Sequence, residues 1–106
     1  MLTRRLRLIL LLTVLIVAVS ALASGKTVKV GDNYYGPKSL TVGRGTRVTW
    51  KWVGVLRHNV VVHTGPAAFN SKTQVRGTFA HTFTKKGTYQ LVCTVHPSMK
   101  MTVVVR

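Results

Sequence analysis

The sequence is nearly devoid of acidic residues: Asp32 is the only aspartate or glutamate among its 106 residues, against 16 lysines and arginines. With one carboxylate, the chain offers no Ser/His/Asp or Cys/His/Asn set with an obvious partner to orient a base. This absence argues against acid–base and nucleophilic catalysis. We therefore predict that the protein is not an enzyme and has no small-molecule substrate.

Cysteine is equally scarce, because Cys93 is the only one. Small exported domains often depend on disulfides, but a single cysteine cannot form one within its own chain. Three interpretations compete for this thiol: an inert buried side chain, an intermolecular disulfide, or a metal thiolate that ligation protects from oxidation. The residues around it decide among them.

A convincing helical period is also missing from residue 26 onward, where β-branched residues alternate with polar ones in short runs separated by Gly, Pro, Asn and Asp. An apolar sheet face must be covered by a second sheet. We therefore predict an all-β domain, a two-sheet antiparallel Greek-key β-sandwich. Its predicted strands are residues 27–30, 39–42, 46–52, 59–63, 78–83, 88–93 and 101–106.

The amino-terminal segment differs from the rest. Arginines at positions 4, 5 and 7 precede an apolar run over residues 8–19, and small residues stand at Ala21 and Ala23. This pattern predicts a signal peptide over residues 1–23, cleaved after Ala23, and an exported domain over residues 24–106 in the periplasm or outside the cell. The alternative is an uncleaved membrane anchor, although residues 8–22 are shorter than the roughly 18 apolar residues of a spanning helix.

Positive charge dominates the predicted domain. Three of the 16 basic residues lie in the leader, and the other 13 face Asp32 alone, which gives residues 24–106 a net charge of +12. Such a charge favours a partner with an acidic surface. The basic residues are scattered singly through the predicted strands and turns, so we expect no nucleic-acid binding.

A soft-metal motif ends the predicted strand over residues 88–93. Cys93, His96 and Met99 fall within seven residues, so one tight loop can wrap a thiolate, an imidazole and a thioether around one ion. Thiolate and thioether favour copper(I), imidazole accepts both oxidation states, and the absence of hard oxygen ligands excludes calcium and magnesium. A blue-copper site has two histidines, one cysteine and a weak axial methionine, so a second histidine is required.

Three histidines outside this loop are candidates. His58 follows a glycine-containing turn and begins an apolar strand, where a loop-borne ligand can face the end of the sandwich. His63 stands at a strand end and is expected on the surface, whereas His81 alternates with two phenylalanines and is expected to be partly buried. We predict that His58 is the ligand.

The sequence resembles the cupredoxin family, and within it the plastocyanin-, amicyanin- and pseudoazurin-like single-domain proteins. The resemblance rests on Thr-Arg-Val-Thr-Trp at residues 46–50, His-Asn-Val at 58–60, Gly-Thr-Tyr at 87–89 and Cys-x2-His-Pro-x-Met at 93–99, in the family's order. The Cys-x2-His-x2-Met loop is most similar to that of amicyanin. Met101, Leu91 and the Trp52-Val53 pair depart from the family's pattern.

The resemblance implies one copper ion with His58, Cys93 and His96 as equatorial ligands and Met99 as the axial ligand. Met101 is the alternative axial ligand, because plastocyanin-type loops place methionine five residues after the second histidine. The resemblance further implies that Asn59 and Thr94 form hydrogen bonds around the Cys93 sulfur and tie its loop to the His58 loop.

The function expected from this site is one-electron transfer by a small soluble protein cycling between Cu(I) and Cu(II), and the resemblance implies that electrons pass through the edge of His96 beside Pro97. Arg57 and Lys100 flank the ligands and are expected to help an acidic redox partner dock. We expect a monomer that meets a membrane only if the leader is retained. Two alternatives stay open: a copper storage or delivery protein, and a basic polyanion-binding β-sandwich without metal.

Overall fold

The structure is a computed structural model, and it describes residues 25–106. The predicted signal peptide and its cleavage after Ala23 lie outside the described residues. Among residues 25–106, no helix is long and apolar enough to cross a membrane.

Within the described part of the chain, eight strands form two four-stranded sheets that pack as a sandwich. The first sheet has the order β2-β1-β4-β6 and the second the order β3-β8-β7-β5. All-β architecture and the two-sheet sandwich are confirmed. The strands are β1 (Gly25–Gly31), β2 (Tyr34–Gly36), β3 (Ser39–Val42), β4 (Thr46–Trp52), β5 (Val61–Thr64), β6 (Thr78–Phe83), β7 (Gly87–Val92) and β8 (Lys100–Val105).

Each sheet contains one parallel pair beside its antiparallel pairs, a detail that the antiparallel description did not include. β1 lies parallel to β4, and β3 lies parallel to β8. The chain leaves the first sheet after β2, adds β3 to the second sheet, and returns with β4 beside β1. Because each pair is separated by crossings between the sheets, its strands need no hairpin and can run in the same direction.

Strand β4 shows why the alternating sequence forms a half-buried strand. Thr46, Val48, Trp50 and Trp52 are buried, while the residues between them face outward. Successive side chains of a strand point to opposite faces, so every second residue enters the core. The fully buried indole of Trp50 lies near the aromatic rings of β6, with its ring centroid 5.8 Å from that of Phe79 and 6.3 Å from that of Phe83.

The long connection between β5 and β6 is held to the sandwich by its side chains and backbone. The ring of Phe69 stacks on His81, with centroids 3.8 Å apart and planes 16° from parallel. The backbone N–H of Ser71 donates to the carbonyl of Val60 at 2.8 Å, and the Val60 N–H donates to the Ser71 hydroxyl at 2.9 Å. The connection therefore supports the segment that leads into β5.

We predict that His81 makes the stability of the domain depend on pH. Burial lowers the pKa of His81, so the unfolded chain binds a proton at this residue more readily than the folded protein does. The stabilisation that neutral His81 gives the folded protein is complete above the pKa of this histidine in the unfolded chain, about 6.5. It is lost as the pH falls from that value towards the lower pKa of His81 in the folded protein.

The measurement is urea unfolding of the wild type and of His81→Phe between about pH 8 and about pH 5. Phenylalanine keeps a ring that can stack on Phe69 but cannot bind a proton, and the other titrating groups are common to both proteins. We expect the wild type to lose stability relative to the variant as the pH falls. Parallel stability curves would show that His81 does not contribute.

Candidate metal centre

Two loops at one end of the sandwich bring together two histidines and the cysteine. His58 lies in the loop between β4 and β5, while Cys93 and His96 lie in the loop between β7 and β8. One ligand atom from each lies within 4.8 Å of the others. Nδ1 of His58 is 3.8 Å from the Cys93 sulfur and 3.2 Å from Nδ1 of His96. His58 and Cys93 are fully buried, and His96 is partly exposed.

Backbone hydrogen bonds close the loop that contains Cys93. The Cys93 N–H donates to the carbonyl of Met99 at 3.0 Å, and the Met99 N–H donates to the carbonyl of His96 at 2.8 Å. The loop thus folds back on itself directly after β7, and β8 begins at Lys100. Met99 is 1% exposed, so its side chain lies in the interior beneath the loop.

Asn59 joins the two loops. Its side-chain amide donates to the Thr94 hydroxyl at 2.8 Å and to the Thr73 hydroxyl at 2.9 Å. Its Oδ1 accepts from the Thr94 N–H at 2.9 Å, and its own N–H points to the Cys93 sulfur at 3.5 Å. The pairing of Asn59 with Thr94 therefore fixes the distance between the His58 loop and the Cys93 loop.

Two buried aromatic side chains hold the backbone of the His58 loop. The indole N–H of Trp52 donates to the carbonyl of His58 at 3.2 Å, and the Tyr35 hydroxyl donates to the carbonyl of Asn59 at 2.5 Å. Burial, and to a lesser degree the charge of Cys93, raises the pKa of Tyr35, so this hydroxyl stays protonated and keeps donating. Nothing in the local sequence indicates these supports, because both aromatics have the ordinary pattern of core residues.

Asp32, to which the sequence assigned no role at the site, contacts His58 from the turn after β1. Its Oδ1 lies 3.1 Å from Nε2 of His58. Hydrogen bonds from the backbone N–H groups of Leu56 and Val55, together with His58, lower the pKa of Asp32. The available signal was its uniqueness as a carboxylate in a turn, but nothing in its local sequence indicates a partner 26 residues away.

The predicted docking residues lie near the three clustered residues, whereas the other candidate histidines and Met101 lie in the strands. Arg57, Pro97 and Lys100 are exposed neighbours of the three clustered residues. His63 is exposed on β5, and His81 stacks on Phe69. Met101 lies in β8, 2% exposed, and its sulfur accepts a hydrogen bond from the Trp50 indole at 3.4 Å.

The donor set fits copper. A buried thiol and two imidazole nitrogens are borderline-to-soft ligands that suit copper. Asp32, the one carboxylate, touches the far nitrogen of His58 rather than joining the cluster of donor atoms. A hard-cation site, which would need several oxygen ligands, is not formed by these residues.

Comparison with known proteins agrees with this chemistry. The model of the copper-binding proteins of the plastocyanin/azurin family matches residues 23–106. The chain belongs to this family. The cupredoxin resemblance is thereby confirmed, and the family together with the His58, Cys93 and His96 cluster identifies one copper ion as the cofactor. The protein is a blue copper electron carrier, as the sequence predicted.

Relatives of this cupredoxin include amicyanins. Amicyanin-alpha of Methylorubrum extorquens is 33% identical over 96 residues, which cover 83% of this chain and 78% of the relative. A reduced amicyanin variant of known structure matches with a TM-score of 0.70 and 32% identity, over 77% of this chain and 82% of that chain.

A copper-containing nitrite reductase from Thermus scotoductus also matches, with a TM-score of 0.72 and 31% identity over 83% of this chain. The matched region is 23% of the reductase. The cupredoxin therefore corresponds to less than a quarter of that enzyme.

We predict that Asn59→Ala lowers the free energy of unfolding of the copper-free protein by about 2 kcal/mol, because it leaves the Thr94 N–H and two threonine hydroxyls without their partner. Thr73→Val is the matched control, since it removes one acceptor of the same amide and leaves the Asn59–Thr94 pair intact. Its expected loss is about 1 kcal/mol. Denaturant unfolding measures both. Equal losses of unfolding free energy in the two variants would show that the Asn59–Thr94 pair adds no stability of its own.

Proposed function

We propose that this cupredoxin passes single electrons between protein partners and is not an enzyme, with His58, Cys93 and His96 as the close copper ligands and Met99 as the weak fourth ligand. The observation that carries the proposal is the convergence of three ligand atoms within 4.8 Å at one end of the sandwich. Of those three residues, His96 is the partly exposed one. Its ring therefore offers a short path between the buried site and a docked protein.

The protein residues keep the site rigid. Bound copper supplies one-electron exchange between Cu(I) and Cu(II). Hydrogen bonds across the two loops hold His58 and Cys93 in place, so neither side chain needs to move when the charge of the site changes. Burial of both residues keeps water away from the thiolate and protects it from oxidation.

Two observations support Met99 over Met101 as the fourth ligand. Met101 belongs to β8, where it pairs with Leu91, and its sulfur already accepts the Trp50 N–H. Met99 lies in the ligand loop itself, and its backbone bonds to both Cys93 and His96. The thioether of Met99 is therefore the one available to the copper site.

The surface around His96 suits a partner that is both apolar and acidic. Val95, next to His96 in the sequence, is 40% exposed, and Val55 and Leu56 of the His58 loop are 76% and 45% exposed. A groove of about 590 Å³ beside the ligand loop is lined in part by Pro97 and Lys100. A docked partner can bury this apolar surface, while Arg57 and Lys100 attract its negative charge.

The alternatives receive less support from the site. A storage or delivery protein must release its copper readily, whereas His58 and Cys93 are fully buried and tied by hydrogen bonds. A metal-free polyanion-binding protein would leave the three clustered ligands without a role. We further propose that the protein acts as a monomer in the periplasm or outside the cell, as the leader pattern of residues 1–23 indicates.

The absorption spectrum of copper-loaded protein tests the ligand assignment. We expect an intense visible thiolate-to-copper band in the wild type, because a Cys93 thiolate bound to Cu(II) produces one, and no such band in Cys93→Ser. Met99→Leu should alter the band and the reduction potential, whereas Met101→Leu should leave both as in the wild type. The axial assignment fails if the two methionine variants behave in the opposite way, and a wild type without the band contradicts the copper-carrier proposal.

The role of positive charge is tested with an anionic oxidant, ferricyanide, acting on the reduced protein. We expect the rate to fall as the ionic strength rises from about 0.01 M to about 0.15 M, because the Debye length shrinks from about 30 Å to about 8 Å. The pair Arg57→Gln with Lys100→Gln should slow the low-salt reaction at least about twofold.

The matched control is Lys85→Gln with Lys86→Gln, which removes the same charge from the turn before β7, at the end of that strand opposite Cys93. We expect this control to change the rate much less than the Arg57 and Lys100 pair does. Equal slowing by both pairs would assign the effect to net charge and contradict docking beside the ligands.

A further inference from the structure

Asp32 is placed against the copper site by the pairing of the first two long strands. β1 and β4 run parallel, with Val30 opposite Trp52, and the Val53 N–H continues the ladder by donating to the carbonyl of Val30 at 2.9 Å. Both strands therefore end side by side. The turn after β1, which contains Asp32, consequently reaches the loop that leads from β4 to His58.

Three polar groups surround the Asp32 carboxylate at that point. The backbone N–H groups of Val55 and Leu56 donate to its oxygens at 2.9–3.1 Å. Its Oδ1 is also 3.1 Å from Nε2 of His58. The carboxylate is 31% exposed, whereas the His58 side chain is 0% exposed. One acidic group thus holds both the backbone of the loop and the ring at its end.

We propose that Asp32 is a positioning residue of the copper site, which holds His58 with its proton on Nε2 and its Nδ1 lone pair towards Cys93 and His96, and thereby favours Cu(II). The inference rests on the proposed function for the ligand role of His58. An ionised carboxylate only accepts hydrogen bonds, so Nε2 must donate. Nδ1, which faces the other two ligands, is then free of hydrogen and can bind metal.

Gly54 provides an independent sign that the loop is shaped around this carboxylate. A Cβ atom added at Gly54 would overlap Oδ1 and the carboxyl carbon of Asp32. The third nearest atom, Oδ2, also belongs to Asp32. Only a residue without a side chain therefore allows the β4–β5 loop to close over Asp32 with its N–H groups pointing at the oxygens.

The negative charge of Asp32 is the reason that its contact with His58 affects the copper ion. Asp32 is the only acidic side chain in the sequence, and every other permanently charged side chain is a lysine or arginine. Positive charge around a redox centre favours its reduced form. A carboxylate on the far nitrogen of His58 acts in the opposite direction, because it makes the imidazole a better donor to the more highly charged Cu(II).

Three variants separate position from charge. Asp32→Asn removes the charge at nearly constant shape. Asp32→Asn combined with Asn33→Asp restores the net charge but moves the carboxylate to the next residue of the turn, which is exposed. Gly54→Ala keeps Asp32 and its charge but displaces the carboxylate from its place beside His58.

We expect each of the three variants to lower the Cu(II) affinity about tenfold with little change in the Cu(I) affinity. A tenfold loss confined to Cu(II) equals a rise of about 59 mV in the one-electron reduction potential. Competition with chelators measures the two affinities, and voltammetry measures the potential. If only Asp32→Asn shifts the potential, charge alone acts and the positioning role is wrong.

A measurement without copper tests the position of the proton directly. The ¹⁵N shifts of the His58 ring in the copper-free full chain near neutral pH should show the Nε2–H tautomer in the wild type and a mixture in Gly54→Ala. A mixture in the wild type would overturn the positioning role even if the protein is a blue copper carrier. A wild type with the Nε2–H tautomer but no thiolate-to-copper band would instead reject the proposed function and leave the hydrogen bond established.

Discussion

The hydrogen bonds between the His58 loop and the Cys93 loop are the constraint on which the metal centre depends. The two ligands are 35 residues apart in sequence, and neither loop alone contains the full donor set. Asn59 bonds to Thr94 in both directions, which holds the two loops at one separation. Loops held in this way have little to rearrange when an electron arrives or leaves.

The rest of the fold supports this contact from below. Trp52 and Tyr35, one from each of two strands of the first sheet, donate hydrogen bonds to the backbone of the His58 loop. The long connection before β6 adds a reciprocal backbone pair between His58 and Gln74, at 3.0 and 3.1 Å. Buried polar groups that are left without partners are costly, so each satisfied bond also restricts the loop to one conformation. The strands of the first sheet thus place hydrogen-bond donors directly beneath the His58 loop.

The distribution of charge follows a simple division. Lysines and arginines are spread over the strands and loops of residues 25–106, and together they create a positive field that acts over long distances. The single negative residue lies at the end of the molecule that contains the metal ligands, against the ring of one of them. The positive field favours the reduced form of copper, whereas the hydrogen bond between Asp32 and His58 favours Cu(II). Substitutions can change either effect without altering the other.

Local chemistry explains how much the sequence could predict. The alternation in residues 46–52 is a property of one strand, and the spacing of Cys93, His96 and Met99 is a property of one loop, so both are visible without coordinates. The three-residue strand β2 escaped prediction because so short a segment shows no period. The choice of His58 among three histidines needed its position after a turn as well as the family resemblance, because the residue type alone does not distinguish a ligand from a surface histidine.

Residue type and spacing along short stretches of chain are enough to predict the all-β class, the identity of the soft donors and hence the metal. The partners that surround those donors depend on how distant parts of the chain pack together. The contact between Asp32 and His58 depends on the parallel register of β1 and β4, two strands that meet after the chain has crossed between sheets. No local pattern records that register, because it results from the packing of the whole sandwich.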